Sequence, residues 1–190
     1  MCHAWSAMPG LSSNSRAKLL DLARASIRSH FEGGPVPVVD PADAGLAVKR
    51  GCFVTLRKKG ALRGCVGTFD IAKPLAENVL RLATAAAFQD TRFPPLQKSE
   101  LAEVRIEISV LGELRKMNSI EEIEIGRHGV FVRLGNRSGT FLPEVAVSEK
   151  WSREEFLAYC ARQKAGLSPE EIGRAEVFLY EVEKFEEDGI

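Results

Sequence analysis

No charge of one sign dominates this sequence of 190 residues, because 26 lysines and arginines balance 26 aspartates and glutamates. A chain without net charge gives no bulk electrostatic reason to bind nucleic acid or an anionic membrane surface. The sequence also contains no apolar run long enough to cross a bilayer. We therefore expect neither a membrane nor a nucleic acid among the partners of this protein.

Cysteine and histidine are scarce as well. No CxxC pair is formed by the four cysteines, which are Cys2, Cys52, Cys65 and Cys160. The cysteines and the three histidines are also not spaced like the ligands of a metal site. The sequence therefore predicts no disulfide framework, no metal site and no cofactor. Segment 1–14 lacks the basic stretch and the apolar core of a secretory signal. We expect it to be a flexible leader of a cytoplasmic protein whose thiols are reduced.

What the chain does have is enough apolar sequence for a core, since hydrophobic residues make up 45% of it and charged residues 27%. Helical and strand patterns follow one another without strict β-α-β order, which favours an α+β fold with a mainly antiparallel or mixed sheet. We expect one domain over residues 15–190, with room for a smaller second lobe. The predicted strands are 52–57, 61–67, 103–111, 129–134, 139–142 and 176–184, and the predicted helices are 15–31, 74–88 and 152–165.

The predicted strand "LRGCVGTF" contains two glycines and a cysteine. Side chains alternate along a strand, so Arg63 lies on the same face as Cys65, about 7 Å along the strand. A neighbouring positive charge lowers the pKa of a thiol, and Gly64 and Gly67 leave space for access, so these residues and the hydroxyl of Thr68 indicate a reactive or binding site. The alternative is that the glycines let a helix pack closely and that Cys65 is a small buried apolar residue.

Other candidate residues lie on strands and loops elsewhere in the sequence. Glu107 is on the polar face of its strand and is a candidate base for Cys65, or a solvated partner of Arg105. No histidine is tied to Cys65 by the sequence. Arg92, in "TRFPP", either contacts a ligand or ties its loop down, and the neighbouring Phe93 is expected to pack. The stretch "LPEVA" is interpreted as the end of a strand, stopped by its proline.

Four separated motifs resemble those of the AMMECR domain family, whose bacterial and archaeal members are called AmmeMemoRadiSam system protein A. "LRGCVG" is similar to the family hexapeptide LRGCIG, with Val66 in place of isoleucine. "TRFPP", "EIS" and "LPEVA" follow in the family order, and the likeness covers roughly residues 17–186. The positions carried over by this resemblance are Leu62, Arg63, Gly64, Cys65, Val66, Gly67, Arg92, Phe93, Pro94, Glu107, Ser109, Leu142, Pro143 and Glu144.

The resemblance implies an α+β domain with the hexapeptide beside a cleft, and genes associated with a Memo-like protein and a radical SAM protein. The family has no assigned reaction. At His128 this chain departs from the acidic residue that the family often has, so we expect no general mechanism to use that histidine.

Three functions are open at this point. The first is a binding or scaffold component of a Memo and radical SAM system, acting on a small-molecule or protein substrate. The second is a cysteine-dependent enzyme with Cys65 as nucleophile and Glu107 as base. The third is a nucleic-acid-associated factor, against which the neutral charge argues. For any of them we expect residues 63–68, 92–94, 107–109 and 142–144 to converge on one concave surface.

Overall fold

A computed structural model describes residues 8–35, 37–39 and 43–188. Residues 1–7 of the predicted leader, Cys2 included, lie outside the described residues. The chain divides into two compact units, one made of the residues up to Leu111 and those from Glu183 onward, the other of Gly112–Val182.

The secondary structure is a mixture of helices and short strands that confirms the predicted α+β class. In chain order the helices and strands are α1 (Ser13–Glu32), α2 (Ala44–Ala47), β1 (Cys52–Lys58), β2 (Ala61–Thr68), α3 (Leu75–Phe88), β3 (Val104–Leu111), β4 (Arg115–Lys116), β5 (Gly129–Leu134), β6 (Arg137–Phe141), α4 (Pro143–Ser148), α5 (Arg153–Tyr159), α6 (Pro169–Ile172), β7 (Glu176–Tyr180) and β8 (Val182–Glu186). Short 3₁₀ turns occupy Lys98–Glu100 and Ile120–Glu122.

The first unit contains a four-stranded sheet of order β2-β1-β3-β8, in which β1 pairs antiparallel with both β2 and β3. The hairpin between β1 and β2 turns at Lys59 and Gly60, whose φ angles are 51° and 81°. Two positive φ angles give the turn a twist that matches the twist of the flanking strands, and glycine adopts such an angle at little cost. The strands predicted over 52–57 and 61–67 are therefore present and are joined by this turn.

One face of this sheet is apolar and packs against α1 and α3. Val54, Leu56, Ile106 and Ile108 alternate with polar residues along β1 and β3, and all four are fully buried. The alternation puts the apolar side chains on the helix side and leaves the polar ones on the opposite face. The sheet therefore has a polar face that carries several of the candidate residues.

Gly64 explains how α3 lies so close to β2. A Cβ atom added at Gly64 would come within 2.1 Å of the carbonyl oxygen of Ala86, a backbone atom of α3. Ala83 and Ala86 on this side of α3 are also small and buried. Gly64 thus admits the helix backbone, as in the close-packing interpretation of the motif.

The end of the predicted leader belongs to the fold. Leu11 is buried, and its backbone N–H donates to the carboxylate of Glu183 at 3.0 Å. The hydroxyl of Ser12 accepts from the backbone N–H of Ser15, and α1 begins at Ser13. The helix starts earlier than predicted because this serine cap satisfies a backbone donor of the first turn.

The second unit contains a four-stranded sheet of order β4-β7-β5-β6 together with α4, α5 and α6. The strand predicted over 176–184 is interrupted at Glu181, and its two parts, β7 and β8, belong to different sheets. The strand β6 does end at Phe141, directly before "LPEVA", but the stretch itself begins a helix, because Pro143 opens α4, where a missing N–H costs nothing. The helix predicted over 152–165 is α5 followed by a π-helical turn over Cys160–Lys164.

The close approach at Gly64 is testable by adding a methyl group. Gly64→Ala should lower the free energy of unfolding by about 2–3 kcal/mol, because the Cβ would displace a helix backbone rather than a flexible side chain. Gly34→Ala is the matched control, since nothing lies within 4 Å of a Cβ there. Urea unfolding of both variants measures the difference, and an unchanged midpoint for Gly64→Ala would contradict the packing argument.

Candidate functional site

The polar face of the first sheet brings the two predicted catalytic residues to neighbouring positions but not into contact. Thr55 on β1 lies opposite Cys65 on β2 and opposite Glu107 on β3, so the three side chains share one face. One strand separates Cys65 from Glu107, which puts their Cα atoms about 10 Å apart. Among the described residues, Cys65 and Glu107 make no hydrogen bond to each other. Glu107 therefore does not act as a base contacting this thiol in the structure.

Cys65 is half-buried, and its sulfur accepts a hydrogen bond from the Thr55 hydroxyl at 3.3 Å. Burial raises the pKa of the Cys65 thiol above its usual range, while the hydrogen bond from Thr55 and the charge of Arg92 act in the opposite direction. The raised pKa means that the thiol is protonated at neutral pH. Cys65 is thus a weak nucleophile in this environment.

Arg63 is not the charge partner of Cys65, so the expectation that it activates the thiol was wrong. Its guanidinium binds both carboxylate oxygens of Glu100, at 3.1 and 2.9 Å, and donates to the carbonyl oxygen of Pro94 at 2.9 Å. The pairing of β1 with β2 shifts register here, because Leu62 and Gly64 lie opposite neighbouring residues of β1. Arg63 is therefore the extra residue of a β-bulge, which redirects its side chain to the loop that follows α3.

Gly67 does not open space around the sulfur either, which corrects the second part of that expectation. A Cβ at Gly67 would come within 2.1 Å of the ring of Phe53, its partner on β1. The missing side chain lets an aromatic ring cover the strand. Thr68, at the end of β2, accepts a hydrogen bond from the backbone N–H of Asp70 at 3.1 Å and so shapes the turn after the strand.

The side chains of Asp90 and Arg92 form hydrogen bonds with the backbone of Cys65 on the side of β2 that faces away from β1. Asp90 Oδ2 accepts from the N–H of Cys65 at 2.9 Å, and Arg92 Nη2 donates to the carbonyl oxygen of Cys65 at 3.0 Å. The two side chains are also joined to each other, with Nε to Oδ1 at 2.9 Å and Nη2 to Oδ2 at 2.7 Å. We call Asp90 and Arg92 the edge clamp, because they fix one residue of β2 through both of its backbone groups.

The edge clamp has a buried end and an exposed end. The side chain of Asp90 is 6% exposed and that of Arg92 is 53% exposed, with the guanidinium 5.6 Å from the centre of the Phe93 ring. Arg92 therefore ties its loop down while its guanidinium stays half-exposed to solvent, and its contact with a ligand stays a prediction. Its Nη1 has no hydrogen-bond partner within the described ranges.

Two carboxylates of this region were missed by the sequence reasoning. The hydrogen bonds from Arg92 hold the pKa of Asp90 well below its usual range, at about 2. The carboxylate of Glu100 accepts hydrogen bonds from the side chains of Arg63 and Lys58 and from the backbone N–H of Gln97. The hydrogen bonds from Arg63 are the main reason that the pKa of Glu100 is held at about 2. The sequence signal that could have identified Asp90 is its position two residues before Arg92 in a proline-rich loop.

Glu107 and Ser109 are both buried on the polar face. Glu107 pairs with Lys184 at 3.1 Å and with Arg57 at 3.4 Å, whereas Arg105 pairs with Glu186. Ser109 is 1% exposed, and its hydroxyl makes no hydrogen bond to any residue that the structure describes.

The remaining candidates belong to the second unit. Pro143 is buried at the start of α4, and Glu144 lies in the first turn of that helix. Their convergence with Cys65 on one surface stays a prediction. His128 is buried, its Nδ1 accepts from the backbone N–H of Glu124 at 3.1 Å, and burial lowers the pKa of the imidazole.

Within the part of the chain that the structure describes, no three or more His, Cys, Asp or Glu side chains are grouped so that they could hold a metal ion. No helix within the same described ranges is both long and apolar enough to span a membrane.

The two antiparallel sheets with their packed helices define an α+β class of protein. The model of the AMMECR1 family matches residues 20–185, and this chain belongs to that family. A protein of Methanopyrus kandleri is 43% identical over 181 residues, covering 90% of this chain and 87% of the relative. One of Nanoarchaeum equitans is 38% identical over 180 residues, covering 90% and 99%.

A solved structure agrees with this family assignment. The crystal structure of an uncharacterized protein from Pyrococcus horikoshii has a TM-score of 0.84 and 33% identity, and the match covers 94% of each chain. The fold expected from the resemblance is therefore confirmed.

The thiol chemistry predicts a specific order of alkylation. Iodoacetamide should label Cys65 faster than Cys52 or Cys160, because both of these are fully buried and burial raises their pKa to about 12. Arg63→Ala should change the Cys65 rate by less than roughly twofold, whereas Arg92→Ala should slow it by removing the nearer positive charge. Peptide mass measurements across a pH series check this. A Cys65 rate that depends on Arg63 below pH 8 would contradict the geometry.

The edge clamp should also make stability depend on pH. The pKa of Asp90 is depressed in the folded state, so its contribution is present above the ordinary aspartate pKa and is lost as the pH falls toward about 2. Asp90→Asn should therefore cost about 2 kcal/mol near neutral pH and progressively less under acid conditions. Urea unfolding at several pH values measures this. Asp21→Asn, at an exposed position of α1, is the control, and a pH-independent difference would refute the assignment.

Proposed function

We propose that this protein is a cytoplasmic substrate-binding or scaffold component of a system that also contains a Memo-like protein and a radical SAM protein. We place its binding surface at the edge clamp and the adjoining end of β2. The observation that carries the proposal is the Arg92 guanidinium, which is half-exposed yet held by three side-chain hydrogen bonds.

A charged group held in this way favours binding. The buried carboxylate of Asp90 fixes the orientation of Arg92, so a ligand meets a guanidinium that has already lost much of its rotamer freedom. The cation also lies beside Phe93, which adds an apolar surface to the charged one. Arg63 and Glu100 support the same loop from its other end.

The geometry gives less support to a cysteine-dependent enzyme. The pKa of the Cys65 thiol is raised, and the sulfur accepts from Thr55 instead of donating to a base. The candidate base Glu107 is neutralised by Lys184 and Arg57. A nucleophile normally requires a base within hydrogen-bond reach, and the described residues around Cys65 supply none.

Binding to the two partner proteins tests the proposal. Arg92→Ala should weaken the affinity for the Memo-like or the radical SAM protein of the same organism by about tenfold or more, since a charge-assisted hydrogen bond is lost. Arg28→Ala is the matched control, because Arg28 is an exposed arginine of α1 with no ion pair to the described residues. Affinities are measured by interferometry, with thermal unfolding as a check that each variant is folded. The absence of binding by the unmodified protein to both partners would reject the proposal.

A further inference from the structure

The outer side of β2 is the edge of the first sheet. The sheet order places β1 on one side of β2, and no strand of the described residues pairs with the other side. An edge strand offers unpaired N–H and C=O groups to any extended chain that approaches it. What covers this edge therefore decides what can bind there.

Along part of the edge, the clamp occupies the place of a neighbouring strand. Asp90 accepts from the N–H of Cys65 and Arg92 donates to its C=O, which are the two bonds that a paired strand would make. Arg63, two residues earlier, anchors the loop to the same side through the carbonyl oxygens of Pro94 and Pro95. From Arg63 to Cys65 the edge is thus closed.

Beyond Cys65, no described residue forms hydrogen bonds with the outer side of this edge. In an antiparallel pair, residues whose backbone groups point to the partner alternate with residues whose groups point away. The backbone N–H and C=O of Cys65 point away from β1, since the N–H donates to Asp90. The backbone groups of Gly67, two residues further along the same strand, therefore also point away from β1. The N–H and C=O of Gly67 make no hydrogen bond to the described residues on that side. Gly67 is half-exposed, with the Phe53 ring beside it.

The clamp dictates how far an added strand can extend. A chain that pairs with Gly67 meets Asp90 and Arg92 about 7 Å further on, at the position opposite Cys65, and must end there. An antiparallel chain runs from Gly67 toward Cys65, so the end that reaches the clamp is its carboxyl terminus. Both oxygens of Asp90 are already bonded, whereas Nη1 of Arg92 is unused within the described part of the chain.

We propose that the edge of β2 at Gly67 binds the free carboxyl terminus of an extended peptide, with its backbone paired to Gly67 and its carboxylate on Arg92. This inference rests on the proposed function and names the ligand class of the same site. The peptide residue opposite Gly67 shares its face with Phe53, so an apolar side chain is preferred there. Backbone hydrogen bonds supply affinity, and the terminal carboxylate supplies selectivity for a chain end.

A peptide array tests the inference without changing the protein. Short synthetic peptides covering every combination of the last two residues are made as free acids and as carboxyl-terminal amides, and binding of the labelled protein is measured by fluorescence anisotropy for the strongest pairs. The free acids should bind about tenfold tighter than the matched amides, because only they present a charge to Arg92. One of the last two backbone nitrogens of the peptide donates to the carbonyl oxygen of Gly67. Methylation of that nitrogen should therefore abolish binding.

Arg92→Ala and Arg92→Lys complete the test, with thermal unfolding to confirm that both variants are folded. The preference for acid over amide should disappear in Arg92→Ala, be reduced in Arg92→Lys and persist in Arg28→Ala. Equal binding of acids and amides, no binding by any peptide, or a preference that survives Arg92→Ala would each overturn the inference. If partner proteins still bind in an Arg92-dependent way, the proposed function stands without it. If peptides bind in a carboxylate-dependent way and neither partner protein binds, the inference stands and the proposed function is rejected.

Discussion

The contact between the Ala86 carbonyl and the backbone of Gly64 is the constraint on which the arrangement of the first unit depends. A helix that approaches a strand this closely leaves no room for a side chain, and any residue other than glycine would push α3 outward. Asp90 follows the end of α3 by two residues and reaches the N–H of Cys65 only because the helix is held so near. The edge clamp is thus a consequence of one absent methyl group on the opposite face of the sheet.

The environment of Cys65 shows how burial and charge compete at a single thiol. A cation close to the sulfur favours the thiolate, and Arg92 acts in this sense, but burial and the nearby carboxylates favour the neutral form and prevail. The backbone of Cys65 is more firmly engaged than its side chain, with both N–H and C=O bonded to the clamp. The position thus matters chiefly as a fixed point of the sheet edge.

Much of the fold could be predicted from the sequence, because alternation and capping residues report directly on local structure. The hairpin at Gly60 and the helix following Pro74 lie where the pattern placed them. The break at Glu181 and the helix at Pro143 could not be foreseen, since sheet membership and the fate of a proline depend on distant contacts. At the site, Arg92 was found but Asp90 was not, because a local pattern carries no information about a bond to a backbone twenty-five residues away.

The topology has a consequence for the order in which the chain can fold. The strands β3 and β8 are neighbours in the first sheet, although the whole of Gly112–Val182 separates them in sequence. During synthesis the far side of β3 has no strand beside it until β8 has left the ribosome. Leu11 and Arg24, which are synthesised before the second unit, likewise gain these partners only once Glu183 and Glu187 have been made. The strand β8 therefore completes the first unit, and a chain released before β8 is made has a sheet with an unpaired β3 edge and an α1 that lacks its partners Glu183 and Glu187.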